Sequence, residues 1–173
     1  AFEGRLTSRH AMEELRQSIE EDAQSPDADA RAAACDYLLI DCPPAFSAAS
    51  AAALIAADDV VIPIRLDAFS TSGMADLMTQ IINMQRVNPR LMVAGVLVTQ
   101  YQNTGEEHAA LEYLRQSSLP VYRNVIRRSG RVSAATYARE PLVRFSPNCA
   151  AAQDYRAFVA EYMAQGGDHD GQR

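Results

Sequence analysis

Apolar residues in this chain fall into short runs and helical stripes that alternate along its length. Met12, Leu15 and Ile19 recur at helical spacing and predict a helix from about Ser8 to Asp22, followed by a loop over Gln24 to Asp29 around Ser25-Pro26-Asp27. Tyr37-Leu38-Leu39-Ile40 is too short and too uniformly apolar for an amphipathic helix turn, and it suits a strand buried on both faces of a parallel sheet. That run ends at Asp41 and Cys42 and breaks at Pro43 and Pro44, which cannot continue a ladder. Ala48 to Ala57 reads as an alanine-rich helix, apolar almost all round, which implies close burial. Val60 to Ile64 predicts the next strand, with Pro63 pointing to an edge or a strand end.

Met74, Leu77, Met78, Ile81 and Ile82 share one face of a helix predicted from about Thr71 to Val87 and stopped by Asn88-Pro89. Leu91 to Val98 predicts a third strand with Gly95 inside it. Glu106 to Gln116 follows as a helix, Val121 to Ile126 as a weak strand and Arg131 to Ala138 as a short helix. The last helix, from about Ala150 to Ala164, is expected to bury Tyr155, Phe158, Val159, Tyr162 and Met163. Strands separated by helices define βαβ units, hence an α/β fold with a doubly wound, mainly parallel sheet. Ligands of such a sheet gather at the carboxyl ends of its strands, which is where Asp41 falls. An ionised carboxylate there is costly unless a cation or hydrogen-bond donors meet it.

Composition narrows the picture. With 173 residues, 48% of them hydrophobic, the chain is long enough for one well-filled domain, expected over residues 1–165, with a polar, disordered tail over 166–173. No apolar run approaches a membrane span, and no basic-then-apolar signal segment opens the chain. All 16 basic residues are arginine. The net charge is −6, yet residues 119–147 carry Arg123, Arg127, Arg128, Arg131, Arg139 and Arg144 against Glu140 alone. That stretch reads either as a local footprint for phosphate or as a solvated surface with scattered ion pairs.

Cys35, Cys42 and Cys149, odd in number and without CxxC spacing, suit reduced cytosolic thiols. Cys42 is either a reactive thiol or a buried small apolar side chain, and no histidine near it in sequence supports the first. His10, His108 and His169 stand alone and are expected at the surface. Ser47 and Ser50 lack a GxSxG setting. Asp58-Asp59 precedes a strand, whereas a receiver-type phospho-acceptor site stands at a strand's carboxyl end.

Tyr37-Leu-Leu-Ile-Asp-Cys-Pro-Pro44 resembles the Walker B segment of ParA/Soj-type partition ATPases, relatives of MinD. Further blocks follow in register: Ala56-Ala57-Asp58-Asp59-Val60 to Ile64, Gly73-Met74, Gly95 to Thr99, Val125 to Arg128, Pro141-Leu142-Val143, and Ser146-Pro147-Asn148 with Ala150 to Ala152 and Tyr155. The resemblance runs from about Leu6 to Ala164. It implies the P-loop NTPase type of fold (deviant Walker A, ParA/MinD), with ATP and Mg2+ as cofactors, a nucleotide-bound homodimer, non-specific DNA, and a centromere-binding or activating partner protein. Cytoplasmic, nucleoid-associated localisation goes with it.

The same resemblance assigns roles. Asp41 would be the catalytic-site carboxylate that orders a water on magnesium. Pro43 and Pro44 would shape the switch loop that senses the γ-phosphate. Thr99, Gln100, Tyr101, Arg127, Arg128 and Ser129 would border the base, and Asp67 to Gly73 would lie near the dimer face. Arg128 and Arg131 would contact DNA phosphates. There are departures from the family pattern. Residues 1–173 contain no GxxxxGK(S/T) and no lysine, so the P-loop and its strand are expected to lie outside this chain, which alone is expected not to hydrolyse ATP. Arg127 stands where the family usually has proline and Ser129 where it has asparagine. A non-catalytic ParA-like module that binds DNA or a partner is the alternative. A chain without the P-loop strand is further expected to present the Asp41 strand as an unpaired apolar edge.

Overall fold

The computed structural model describes His10, Glu14, Gln17, Glu21 and residues 37–43, 46–66 and 68–166. The four early positions are helical. His10 Nε2 lies 3.1 Å from Glu14 Oε1, and Gln17 Nε2 donates to Glu21 Oε1 at 2.8 Å, as side chains four apart on a helix can. The remainder of the first predicted helix, the Gln24–Asp29 loop and the tail beyond Gly166 lie outside the described residues.

Helix α1 (Ala48–Ala56) is followed by strand β1 (Asp59–Ile64), helix α2 (Ala68–Gln85), strand β2 (Met92–Val98), and helices α3 (Gly105–Arg115), α4 (Gly130–Ala138), α5 (Leu142–Phe145) and α6 (Ala150–Gly166). β1 and β2 form a two-stranded sheet. Their register is parallel: Met92 N–H donates to Asp58 O at 2.8 Å, and Thr99 N–H donates to Ile64 O at 2.7 Å. Helices therefore alternate with parallel strands as the apolar pattern implied. Pro63, next to last in β1, is exposed, where its missing N–H breaks no ladder bond.

The strand expected over Tyr37–Asp41 is not formed. Tyr37 to Asp41 have no regular structure, Leu39 is 93% exposed, and Tyr37 and Leu38 are exposed as well. A parallel strand is held by neighbours on its edges, and β1 and β2 alone make up the sheet of the described residues. Apolar composition makes a segment fit for such a place without supplying the partners. The run is thus an exposed apolar segment instead of an edge strand.

The chain divides into two compact units, Ala1–Val60 with Asp76–Met92 and Val61–Ala75 with Val93–Arg173. In the first, α1 is capped by Ser47, whose Oγ accepts the Ser50 N–H at 3.3 Å, and it buries Ser50, Ala52, Ala53 and Leu54. Asn88, read from sequence only as a helix stop, is buried. Its Nδ2 donates to Leu54 O at 3.1 Å and Ala57 O at 2.6 Å, satisfying carbonyls left open where α1 ends. The expected apolar face of α2 holds at Met74 and Ile81, which are buried, but Ile82 is exposed.

The second unit is built on Leu97, Tyr122, Ile126 and Ala151, with Val61, Leu142, Cys149, Phe158 and Tyr162 packed against them. The Tyr122 ring meets Phe158 edge-on, with centroids 4.9 Å apart at 89°. Gly95 makes room for that ring: a Cβ at this position would sit 2.5 Å from Tyr122 Cε2. On α6 the expected apolar face is only partly buried. Ala151 and Ala152 are fully enclosed, whereas Tyr155, Val159 and Met163 are exposed, and a carboxylate, Glu161, takes an interior position.

Gly95→Ala should destabilise the protein by about 1–3 kcal/mol, since a buried ring must shift to admit the methyl group. Asn88→Ala should cost about 1–3 kcal/mol by leaving buried carbonyls without their donor. Urea unfolding monitored by circular dichroism checks both.

Candidate functional site

The second unit gathers a polar cavity at the carboxyl ends of its strands. Arg65 and Leu66 follow β1, Thr99, Gln100 and Gln102 follow β2, and Glu107 on α3 and Arg128 complete the lining. Strand ends of a parallel sheet are where such folds take ligands. The cavity is about 30 Å³, room for little more than a water molecule, against several hundred Å³ for a typical small-molecule site. The described residues therefore form a rim of a site and not a closed nucleotide pocket.

Each rim residue is placed by backbone chemistry. Thr99 Oγ1 donates to Ile64 O at 3.0 Å, beside its own N–H on the same carbonyl, which ties the end of β2 to the end of β1. Gln100 then turns with φ 55°, a left-handed conformation uncommon for a residue with a side chain. Thr104 caps α3 by accepting the Glu107 N–H at 3.2 Å, while Glu107 reaches back to the Gln102 N–H at 2.5 Å. The Thr104-x-x-Glu107 spacing is the capping-box signature, a sequence signal that would have pointed to Glu107.

The weak strand expected at Val121–Ile126 is replaced by two isolated parallel bridges, Val96 with Val121 and Tyr101 with Arg127. Tyr122 N–H donates to Val96 O at 3.0 Å and Ile126 N–H to Val98 O at 2.8 Å. Between them the amides of Arg123 and Asn124 turn to Glu161 on α6, at 2.8 Å to Oε1 and 3.0 Å to Oε2, and Asn124 Nδ2 adds a bond at 2.5 Å. At the far end the Arg127 N–H donates to Asp154 Oδ2 at 2.9 Å, and its guanidinium closes a fork on the same carboxylate at 2.9 and 2.7 Å.

Electrostatics follow from these bonds. Partial burial pushes the Asp154 carboxyl up, but the hydrogen bonds and charge of Arg127 outweigh it and hold the group below the usual carboxylate value. Burial likewise raises Glu161, and the amides of Arg123 and Asn124 more than reverse it. Arg127 is raised by its bond to Asp154.

Of the residues singled out in the sequence, the cavity brings together Thr99, Gln100 and Arg128. Tyr101 is positioned by its bridge, and the Arg127 side chain is committed to Asp154. Arg131 is exposed in the first turn of α4, where Ser129 caps the helix by accepting the Arg131 N–H at 3.3 Å. Asp41, Cys42 and Pro43 belong to the other unit and are exposed. Pro44 and Asp67 lie outside the described residues.

Cys42 is exposed and not the buried apolar side chain expected. Desolvation and the neighbouring Asp41 charge raise its pKa, so it is not an activated thiolate. Among the described residues no group of three or more His, Cys, Asp or Glu side chains could hold a metal ion. No helix among the described residues is long and apolar enough to cross a membrane.

Helices alternating with parallel strands, and a rim at the strand ends, are the α/β arrangement of the P-loop NTPases. A family model described as AAA domain matches residues 11–93. The chromosome partitioning protein ParA of Caulobacter vibrioides is 33% identical over 132 residues, covering 75% of this chain and 49% of that protein. The sporulation initiation inhibitor protein Soj of Bacillus subtilis is 32% identical over 137 residues, 76% of this chain and 53% of its own. The crystal structure of cobyrinic acid a,c-diamide synthase from Mycobacterium smegmatis with bound ADP and magnesium matches with a TM-score of 0.55 at 25% identity, over 69% of this chain and 43% of that one. By these matches the chain is similar to the ParA/Soj-type partition ATPase family. It spans about half the length of the curated relatives it matches.

Asp154 and Glu161 release their protons more readily folded than unfolded. Their stabilisation is complete above the unfolded pKa, near 4, and is lost as the pH falls through the lower folded values. Asp154→Asn and Glu161→Gln should each unfold at lower urea than the parent at pH 7, and the gap should close below about pH 4. Unfolding midpoints measured across pH 2–7 check this.

Proposed function

We propose that this chain is part of a ParA-type ATPase for chromosome or plasmid partition, which dimerises on ATP and binds DNA without sequence preference. Residues 1–165 form part of its ATPase domain and 166–173 a tail. The observation that carries the reading is the convergence of Thr99, Gln100 and Arg128 at the ends of parallel strands, in a chain related to the chromosome partitioning protein ParA. Asp41 orders a water on Mg2+ held by the phosphates of ATP, and Pro43 and Pro44 shape the loop that senses the γ-phosphate. Thr99, Gln100, Tyr101 and Arg128 border the base, and Arg127 does so through its backbone. Residues 67–73 lie near the nucleotide-dependent dimer face. A centromere-binding or activating protein is the partner, and the protein works in the cytoplasm on the nucleoid.

Arg128 and Arg131 are the DNA contacts. Both are exposed, and neither makes a salt bridge among the described residues, unlike Arg127. A non-catalytic ParA-like module that binds DNA or a partner is the alternative reading.

Arg128→Glu and Arg131→Glu should each weaken DNA retention at low salt by about tenfold, with the parent's own retention falling as salt rises. Unchanged retention on a DNA column would sink the DNA assignment. Purified residues 1–173 are expected to show no magnesium-dependent release of phosphate from ATP, and turnover above the buffer blank would overturn that.

A further inference from the structure

We propose that Asp154 and Glu161 are positioning residues that set the rim segment Arg123–Arg128 against the end of β2, and that the Arg127 side chain acts as a clamp on Asp154 instead of as a ligand contact. The two carboxylates stand seven residues apart on α6, about two helical turns, so one face of the helix presents both. Each catches backbone amides that the interrupted ladder leaves open, Glu161 those of Arg123 and Asn124 and Asp154 that of Arg127. The ladder takes up Tyr122 and Ile126 on either side. The segment is thus registered on β2 at its two ends and on α6 in between and just beyond.

The Arg127 guanidinium points the same way. With two nitrogens on Asp154 at 2.7–2.9 Å, it is held away from any ligand at the strand ends and fixes the backbone from which Arg128 enters the cavity. Arg128 N–H in turn donates to Tyr101 O at 2.9 Å, so a shift at Asp154 would move both sides of the rim together. A role for the clamp in nucleotide affinity rests on the proposed nucleotide reading; the clamp itself does not.

The test has two arms. In residues 1–173, amide hydrogen exchange read residue by residue by NMR should rise about tenfold or more at Arg123 and Asn124 in Glu161→Gln, and at Arg127 in Asp154→Asn, because a charge-assisted bond is lost. The amides of Tyr122 and Ile126 should change far less. A uniform rise along 121–128, or none, would overturn the clamp, and Asp154→Asn carries the test if Glu161→Gln does not fold. In the protein expressed from its complete reading frame, affinity for a fluorescent ATP analogue should fall to a similar extent in Asp154→Asn and Arg127→Ala. The double variant should bind no more weakly than the weaker single one, the mark of residues acting as a unit. Loss in Arg127→Ala with none in Asp154→Asn would make Arg127 a ligand contact and overturn its assignment as a clamp. A parent that binds no nucleotide would instead sink the proposed function, with the exchange arm still deciding the clamp.

Discussion

The second unit depends on two carboxylates of one helix meeting backbone amides that have no place in a sheet. A chain entering alongside β2 at Val121 and leaving at Arg127 has more amides than the ladder can take, and a buried amide without an acceptor costs as much as a lost hydrogen bond. Glu161 is 7% exposed, a burial that a carboxylate tolerates only when its oxygens are well supplied with donors. Supply and need match here, so an irregular segment finds acceptors for its amides without a strand partner. Arg128 owes its position in the cavity to that arrangement.

The apolar core serves the same geometry from the other side. Tyr122, 1% exposed, fills the space that Gly95 leaves open in β2 and packs its edge on Phe158 of α6. Steric exclusion and the carboxylate bonds therefore act on one short stretch of chain, the ring fixing its depth and the amides its path. Arg127 illustrates how charge is redirected by this packing. In the sequence it belongs to a cluster of six arginines, yet in the fold it is neutralised by Asp154. The basic footprint is narrower than the count of arginines implies.

Most of the helices and both strands of the sheet could be read directly, because the apolar spacing of α2 and the uninterrupted apolar run of β2 are properties of the local chain. The family could be read as well, through ordered blocks such as Tyr37 to Pro44 and Gly95 to Thr99. What could be misread were features that depend on neighbours. Tyr37–Ile40 has a strand's composition and no strand, since pairing partners decide that. Tyr155, Val159 and Met163 have a buried stripe's spacing and stand exposed, while Glu161 takes the interior place.

By itself, then, the sequence determined the alternation of helix and strand, the parallel α/β class and the kinship, all of which rest on short-range periodicity and on residue identity at fixed spacing. Only the tertiary structure decided that Asn88 closes α1, that Glu107 and Arg65 join the rim, and that Asp154 and Glu161 hold the segment after α3. The reason is physical: a polar side chain's role is set by which unsatisfied backbone group lies within about 3 Å of it, and those groups are brought there from about 30 positions away in the chain.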